Sequence, residues 1–170
     1  RRLDRKLLAV LLLGLLVRGT ILWQYRDTLT RDDDNYGEIA TNVRQQSIFG
    51  LGQQTATPTA FRPPLYPLLL AGTMLTERVT PLQVGALHLL LGFFTILLVY
   101  QLARQYCLPR AAPLAALLVA IDPILLYQST RIMTETLATL LAVAALYCLS
   151  RLHQQRRWTT ALGSGCVLGL

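Results

Sequence analysis

The sequence predicts an all-α membrane protein, a polytopic bundle of transmembrane helices with amphipathic juxtamembrane helices in the first extracytoplasmic loop. Hydrophobic residues make up 53% of the 170 residues and charged residues only 15%, a composition outside the range of soluble globular domains. Apolar runs of roughly membrane-spanning length also recur along the chain. Basic residues cluster in short segments between these runs, as the positive-inside rule describes.

The first apolar run covers residues 7–24 and is interrupted only by Arg18. Its length suits one crossing of a hydrocarbon core about 30 Å thick. A cleaved signal peptide is the alternative, because the uninterrupted part ends at Val17. No small-x-small cleavage site follows, which favours a retained signal anchor. Arg18 would then extend its flexible stem from the outer third of the helix toward the headgroups.

Further runs of similar character are predicted as additional crossings. The last of them begins near the end of the sequence, so we expect the chain to be the N-terminal part of a longer protein. The predicted segments are residues 82–103, 111–127, 132–149 and the start of a fifth crossing at 159–170.

Residues 25–81 form a polar outer loop that contains two predicted interfacial helices. In residues 34–46 the apolar side chains recur with helical spacing, which is typical of a helix lying on a membrane surface. Residues 64–76 are apolar and begin with prolines, which the first turn of a helix tolerates. A helix of about twelve residues rises only about 18 Å, too little to span a bilayer.

The charge distribution predicts the orientation. If residues 64–76 do not span, the N-terminus and the segments 104–110 and 151–157 lie on one side, with nine of the sixteen basic residues and one acid, Asp4. The positive-inside rule then places the N-terminus in the cytoplasm and the outer loop outside.

Several functions are disfavoured. The net charge of +7 is spread over small groups of arginines rather than along one face, which argues against nucleic-acid binding. The cysteines and histidines have no partners at metal-ligand spacing, so we interpret them as packing or interface residues and predict no metal site. These residues are Cys107, Cys148, Cys166, His88 and His153.

Asp32, Asp33 and Asp34 hold a third of the nine acids in the chain. One carboxylate at the start of the predicted Tyr36 helix would serve as an N-cap. Three adjacent carboxylates repel one another and raise their proton affinities unless a cation lies nearby. A catalytic or ligand-binding role for at least one of them is therefore expected, with capping alone as the alternative.

Two arginine motifs are predicted to reach the same surface. In FRPPLYP, the following proline holds Arg62 in an extended conformation. In STRIMTETL, Arg131 and Glu135 lie four residues apart at the outer end of a crossing. A surface ion pair is the simpler explanation for Arg131 and Glu135. Charges at a membrane interface are nevertheless candidates for function, and several arginines together can bind a lipid phosphate.

The order of these motifs resembles the N-terminal part of the GT-C glycosyltransferases, in particular the protein O-mannosyltransferases and the aminoarabinose transferases of lipid A. The pieces are an apolar helix, D-x-x-x-Y at residues 32–36, a long outer loop, R-P-P-L-Y-P at 62–67, two crossings and R-x-x-x-E at 131–135. The resemblance runs along essentially the whole chain. The usual second acid is a glutamate, whereas this chain has Asp33 followed by a third acid.

The resemblance implies a role for particular residues. It implies that Asp32 is the catalytic base, with Asp33 as the alternative, and that Arg131 approaches the lipid phosphate. The complete set of residues expected to bind substrate is Arg62, Tyr66, Arg131, Glu135, Tyr36 and Arg18.

The implied reaction moves a sugar from a polyprenyl-phosphate carrier to a protein or lipid acceptor on the extracytoplasmic face, with inversion, in a bacterial inner membrane. Membrane lipids are the other expected partners. No cofactor is identified, and a divalent cation stays open because the acids alone do not make a ligand set. A transporter or channel subunit is the alternative, for which we expect broken helices and charges at mid-depth. A non-catalytic membrane scaffold is the third possibility, in which Asp32→Asn would change nothing.

Overall fold

The computed structural model describes residues 4–106, 110–155 and 165, and it confirms the all-α fold class. Seven helices, one 3-10 turn and two short strands occur in the described residues. In chain order they are α1 (Arg5–Gln24), the 3-10 turn (Arg26–Thr28), α2 (Tyr36–Gln46), β1 (Gly50–Leu51), β2 (Thr57–Pro58), α3 (Leu65–Gly72), α4 (Pro81–Gln105), α5 (Ala112–Ala120), α6 (Pro123–Gln128) and α7 (Glu135–Gln155). The predicted fifth crossing, 159–170, lies outside the described residues except for Gly165.

Three described helices are long and apolar enough to cross a membrane: α1, α4 and residues Glu135–His153 of α7. Local signals set where they begin. The Asp4 side chain accepts the Lys6 N–H at the start of α1. At the start of α4, Thr80 and Gln83 form a reciprocal capping box, which satisfies backbone donors that a helix leaves unpaired.

The run at 111–127 differs from the single crossing helix that was expected, because it is divided into α5 and α6. The break lies at Ile121 and Asp122. The Asp122 side chain accepts the Leu125 N–H and Pro123 occupies the first turn of α6, so both residues favour a new helix start. Nine residues of α5 rise only about 14 Å, so neither piece spans a bilayer alone.

Helices α5 and α6 nevertheless traverse the bundle together. At one end, Ala112 packs in a core cluster with Val10 of α1 and Tyr100 of α4. At the other end, just beyond α6, the Thr130 carbonyl accepts the Thr28 hydroxyl. We call this second end the loop end, because it carries residues 25–80. The broken pair thus runs antiparallel to α4.

The segment between α1 and α4 packs as a small layer on the loop end. Helix α3 has 8 residues, fewer than the predicted 64–76, and rises about 12 Å. It packs against α2 in a core that includes Tyr36, Ala40, Tyr66 and Leu70. At the end of α3, the Gln83 amide donates to the Leu70 carbonyl across 2.7 Å. This hydrogen bond ties α3 to the first turn of α4.

A two-stranded antiparallel sheet lies in the linker that follows α2. Its register pairs Gly50 with Pro58 and Leu51 with Thr57. A Cβ atom at Gly50 would lie 2.3 Å from the Thr57 carbonyl oxygen, so only glycine fits this close approach. The Asn42 side chain of α2 donates to the Gly50 carbonyl across 2.9 Å, which fixes the hairpin to the helix.

Candidate active site

The three aspartates lie in a short loop between the 3-10 turn and α2, which we call the acid loop (residues 30–35). Asn35 takes a left-handed conformation with φ 63° immediately before α2. This bend turns the chain back so that Oδ2 of Asp32 accepts the Glu38 N–H across 3.0 Å. Asp32 therefore performs the capping that the sequence suggested, from four positions before the first residue of the helix. The other two aspartates have different partners.

The capping hydrogen bond uses only one of the two carboxylate oxygens of Asp32. Its Oδ1 is buried and has no hydrogen-bond partner among the residues that the structure describes. Burial raises the pKa of Asp32, while the backbone N–H groups of Glu38, Gly37 and Tyr36 oppose the rise. A desolvated carboxylate with a raised pKa and free lone pairs is a better proton acceptor than an exposed one.

Asp33 lies between two guanidinium groups. Arg31 Nε donates to its Oδ1 across 2.9 Å and Arg131 Nη1 donates to its Oδ2 across 3.2 Å. The Arg31 hydrogen bond, with a smaller contribution from the charge of Arg131, lowers the pKa of Asp33. Both carboxylate oxygens are therefore occupied, and the group stays ionised.

Asp34 holds the arginine of the proline-rich motif. Arg62 Nη2 donates to Asp34 Oδ1 across 2.7 Å, and Arg62 Nε donates to the Asp34 carbonyl across 2.9 Å. The guanidinium carbon also lies 4.5 Å from the ring centroid of Phe61 and 5.3 Å from that of Tyr36. Cation–π attraction adds to the ion pair, so Arg62 is held over the start of α2.

Tyr66 lies beneath Tyr36 and is almost fully buried, at 1% exposure. The two rings meet edge to face with centroids 5.6 Å apart. The Tyr66 hydroxyl lies 2.8 Å from Nε2 of His88, and Nδ1 of His88 lies 2.7 Å from the Ser129 carbonyl oxygen. Burial raises the pKa of Tyr66 above its usual value, so its hydroxyl keeps its proton.

Residues 129–134, between α6 and α7, lie against the acid loop and form the other side of the candidate site. We call them the 129–134 turn. The Ile132 N–H donates to the Arg31 carbonyl across 3.1 Å, which joins the turn to the acid loop. Arg131 lies 4.8 Å from the Tyr127 ring centroid. Glu135 Oε2 is buried and finds no partner within the described part of the chain, and Arg131 pairs with Asp33 rather than with Glu135. The simple surface ion pair considered from sequence therefore does not form between these two described residues.

A polar groove of about 660 Å³ opens beside the acid loop, between α2, the β-hairpin and the chain that leads into α4. Its lining includes two carboxylates, several amides and one arginine: Asp32, Glu38, Asn42, Gln45, Gln53 and Arg78. Such a lining suits a hydroxyl-rich ligand better than an apolar one. Asp32 is the member of the acidic trio that lines this groove.

Two residues predicted to bind substrate lie elsewhere. Tyr66 is buried and its hydroxyl is directed to His88, so it supports the site from below. Arg18 is 2% exposed, and its Nη2 donates to the Val119 carbonyl in the last turn of α5 across 3.2 Å. It does not extend to the headgroups, because the carbonyl groups at the helix break provide a nearer partner. A buried arginine and a broken helix are also features that the transporter alternative predicts.

Sequence reasoning missed two residues of the site. His88 is predicted from the sequence as a packing or interface residue, but it contacts Tyr66 and Ser129, which are far from it in sequence. Glu38, a groove residue, is not among the predicted site residues, and its Oε1 accepts the Gly52 N–H across 2.8 Å. No local pattern marks either contact. Among the described residues, no group of three or more histidine, cysteine or acidic side chains could hold a metal ion.

Apolar helices that carry an acidic loop paired with arginines at one end define a membrane protein with a charged site at the bilayer surface. The family model described as dolichyl-phosphate-mannose-protein mannosyltransferase matches residues 61–170. The chain therefore belongs to this family of GT-C type. It is an integral membrane protein of a glycosyltransferase family that uses a polyprenyl-phosphate-linked sugar.

The matched range contains Arg62, Tyr66, Arg131 and Glu135, whereas the acid loop precedes it. No curated protein and no solved structure matches the chain.

Proposed function

We propose that the loop end forms the catalytic site of a sugar transfer in which Asp32 is the base. The sugar leaves a polyprenyl-phosphate donor and joins a hydroxyl or amine of a protein or lipid acceptor. Asp32 takes the acceptor proton while the acceptor attacks the anomeric carbon from the side opposite the phosphate, which inverts the configuration. The observation that carries this assignment is the unpartnered Oδ1 of Asp32, beside a groove that can admit the acceptor.

The other two acids are less suited to act as base. Asp33 is held ionised by two arginines and has a lowered pKa, so it is a weak proton acceptor. Asp34 is occupied by Arg62. These contacts support Asp32 over Asp33, which the sequence left as the alternative, and they suggest that Asp33 and Asp34 hold the arginines in place.

Arg131 and Arg62 are the groups we assign to the donor phosphate. The leaving group is a phosphate anion, which needs cationic stabilisation more than a proton. Arg131 contributes one of its nitrogens to Asp33, so the rest of its planar fork remains for phosphate oxygens. Both arginines flank the acid loop, where a membrane-embedded donor and an acceptor from the water phase would meet.

The proposed orientation follows from the charges. With the N-terminus in the cytoplasm, the loop end faces the extracytoplasmic side of a bacterial inner membrane. The described end opposite the acid loop then carries Arg5, Lys6 and Arg104, in agreement with the positive-inside rule.

The direct test measures transfer of a radiolabelled sugar from a polyprenyl-phosphate donor by the full-length protein. General-base catalysis contributes roughly 10²- to 10⁴-fold, so Asp32→Asn should lower kcat by about that factor. Asp27→Asn is the matched control, because Asp27 belongs to the preceding turn and its side chain is 94% exposed. Full activity in Asp32→Asn, or an equal loss in both variants, would exclude Asp32 as the base.

A further inference from the structure

We propose that His88 is a positioning residue for the transfer reaction. It joins the segment that carries Arg62 to the turn that carries Arg131, and so sets the separation of the two arginines across the acid loop. This inference rests on the proposed function, because it assumes that both arginines act on the donor.

The hydrogen-bond directions around His88 follow from chemistry. The Ser129 carbonyl can only accept, so Nδ1 of His88 carries the proton and donates across 2.7 Å. In the neutral ring Nε2 is then an acceptor, and the Tyr66 hydroxyl donates to it across 2.8 Å. His88 has 0% exposure, so water does not compete for either bond. The ring is a directional link between two backbone segments.

One side of this link leads to Arg62. Tyr66 belongs to α3, and its ring packs edge to face against Tyr36. Tyr36 in turn lies under the Arg62 guanidinium. Shifting Tyr66 would therefore move the aromatic surface on which Arg62 rests.

The other side leads to Arg131. Ser129 begins the 129–134 turn, and its hydroxyl donates back to the Leu126 carbonyl across 2.6 Å, so the turn is rigid at the point that His88 holds. The next residue, Thr130, accepts the Thr28 hydroxyl across 3.0 Å. Arg131 follows directly and reaches Asp33. The position of Arg131 thus depends on how Ser129 is held.

Two substitutions break the link, and Tyr66→Phe does so with little change in volume. Tyr66→Phe removes the hydroxyl and keeps the ring that packs on Tyr36. In His88→Asn, the amide nitrogen is as many bonds from Cβ as Nδ1, so it can still donate to Ser129 while the contact with Tyr66 is lost. Thr95→Val is the matched control. Thr95 is buried in the same helix, but among the described residues its hydroxyl bonds only to the Leu91 carbonyl of its own helix.

The experiment combines steady-state kinetics with a distance measurement on the full-length protein. Rates are measured with the radiolabelled donor and normalised to the folded fraction. Spin labels are placed at two exposed positions, Leu68 on α3 and Ile124 on α6, after all native cysteines of the full-length protein are replaced by serine. The distance distribution between the two labels shows whether His88 still holds the two segments together, and this measurement does not depend on catalytic activity.

Misplacement of catalytic groups by about 1 Å can cost roughly 100-fold. We therefore expect kcat of Tyr66→Phe and His88→Asn to fall by about 10- to 100-fold, with little change in KM for the donor. The label distances should broaden in both variants and not in Thr95→Val. Unchanged kcat, or a fall in kcat with unaltered distances, would overturn the positioning role alone. A wild-type protein that transfers no sugar would overturn the proposed function as well.

Discussion

Arg131 donates to Asp33 across 3.2 Å, although 98 positions separate the two residues. The contact brings the last turn before α7 against the acid loop that follows α1. A backbone hydrogen bond from Ile132 to Arg31 lies beside it, so the arginine approaches on a fixed backbone rather than on a free side chain. Arg131 thereby neutralises Asp33, while Asp32 keeps one carboxylate oxygen without a partner among the described residues.

Arg131 provides the first prediction. Removing an electrostatic group that stabilises developing charge typically costs about 10²- to 10³-fold. Arg131→Ala should therefore lower kcat/KM for the donor by about that factor. The acid loop should stay folded, because Asp33 keeps Arg31. Arg26→Ala is the control, since Arg26 contacts Trp23 and Asp27 rather than the trio. Equal rates in the two variants would contradict the assignment.

Asp32 gives a prediction about pH and stability. Its folded-state pKa is raised by burial, so its ionisation disfavours folding. This destabilising contribution is absent below the ordinary pKa of an aspartate. The free energy of unfolding then falls as pH rises through the raised folded-state pKa of Asp32. Asp32→Asn keeps a side-chain oxygen for the Glu38 N–H but removes the charge. We expect its melting temperature to equal that of wild type at about pH 4 and to exceed it at about pH 8.

The comparison is made by thermal unfolding in detergent at both pH values. Asp33→Asn should behave in the opposite way, because the pKa of Asp33 is lowered. Its contribution to stability is present above the ordinary aspartate pKa and disappears as pH falls through the lowered value. A melting temperature that falls in Asp32→Asn at the higher pH would show that the charged form stabilises the fold.

Substitutions of Asp122 test whether its side-chain cap stabilises the break between α5 and α6. Its side chain caps α6, and loss of such a cap costs about 1 kcal/mol. Asp122→Ala should lower the melting temperature, measured by thermal unfolding in detergent. Asp122→Asn should not, because asparagine is an equally good cap. If both variants were destabilised equally, the charge near Arg18 rather than the cap would be the important feature.

The substitution Gly37→Ala tests the close packing between the acid loop and the 129–134 turn. A Cβ atom there would lie 2.9 Å from Ile132 Cδ1 and 3.1 Å from Asp32 Oδ2. Overpacking of this kind costs about 1–3 kcal/mol, and it would displace the carboxylate. Gly37→Ala should lose transfer activity and stability together, as measured by kcat and thermal unfolding. Gly72→Ala should retain both, because in the described part of the chain its added Cβ would meet no atom within 4 Å apart from its chain neighbours and its own helix backbone.

The helix break could have been predicted from the sequence. An aspartate followed directly by proline inside an apolar run, as at residues 122 and 123, is a local signal for a helix start. The run at 111–127 was predicted as one crossing from its length and apolar character, and these two properties do not reveal a local break in the helix. The β-hairpin had a weaker signal, since its strands are two residues each and depend on Asn42 of α2 for support. No sequence signal indicated the contacts of His88 with Tyr66 and Ser129.

The sequence by itself determined that the chain belongs in a membrane, that it is helical and that its acids concentrate at one point. Hydropathy and charge are local properties to which the bilayer responds directly, so they can be deduced residue by residue. Only the tertiary structure decided which carboxylate stays unpaired, which arginine each of the others binds, and that a buried histidine joins the two arginine segments. Those pairings depend on residues from different helices, whose approach is set by packing.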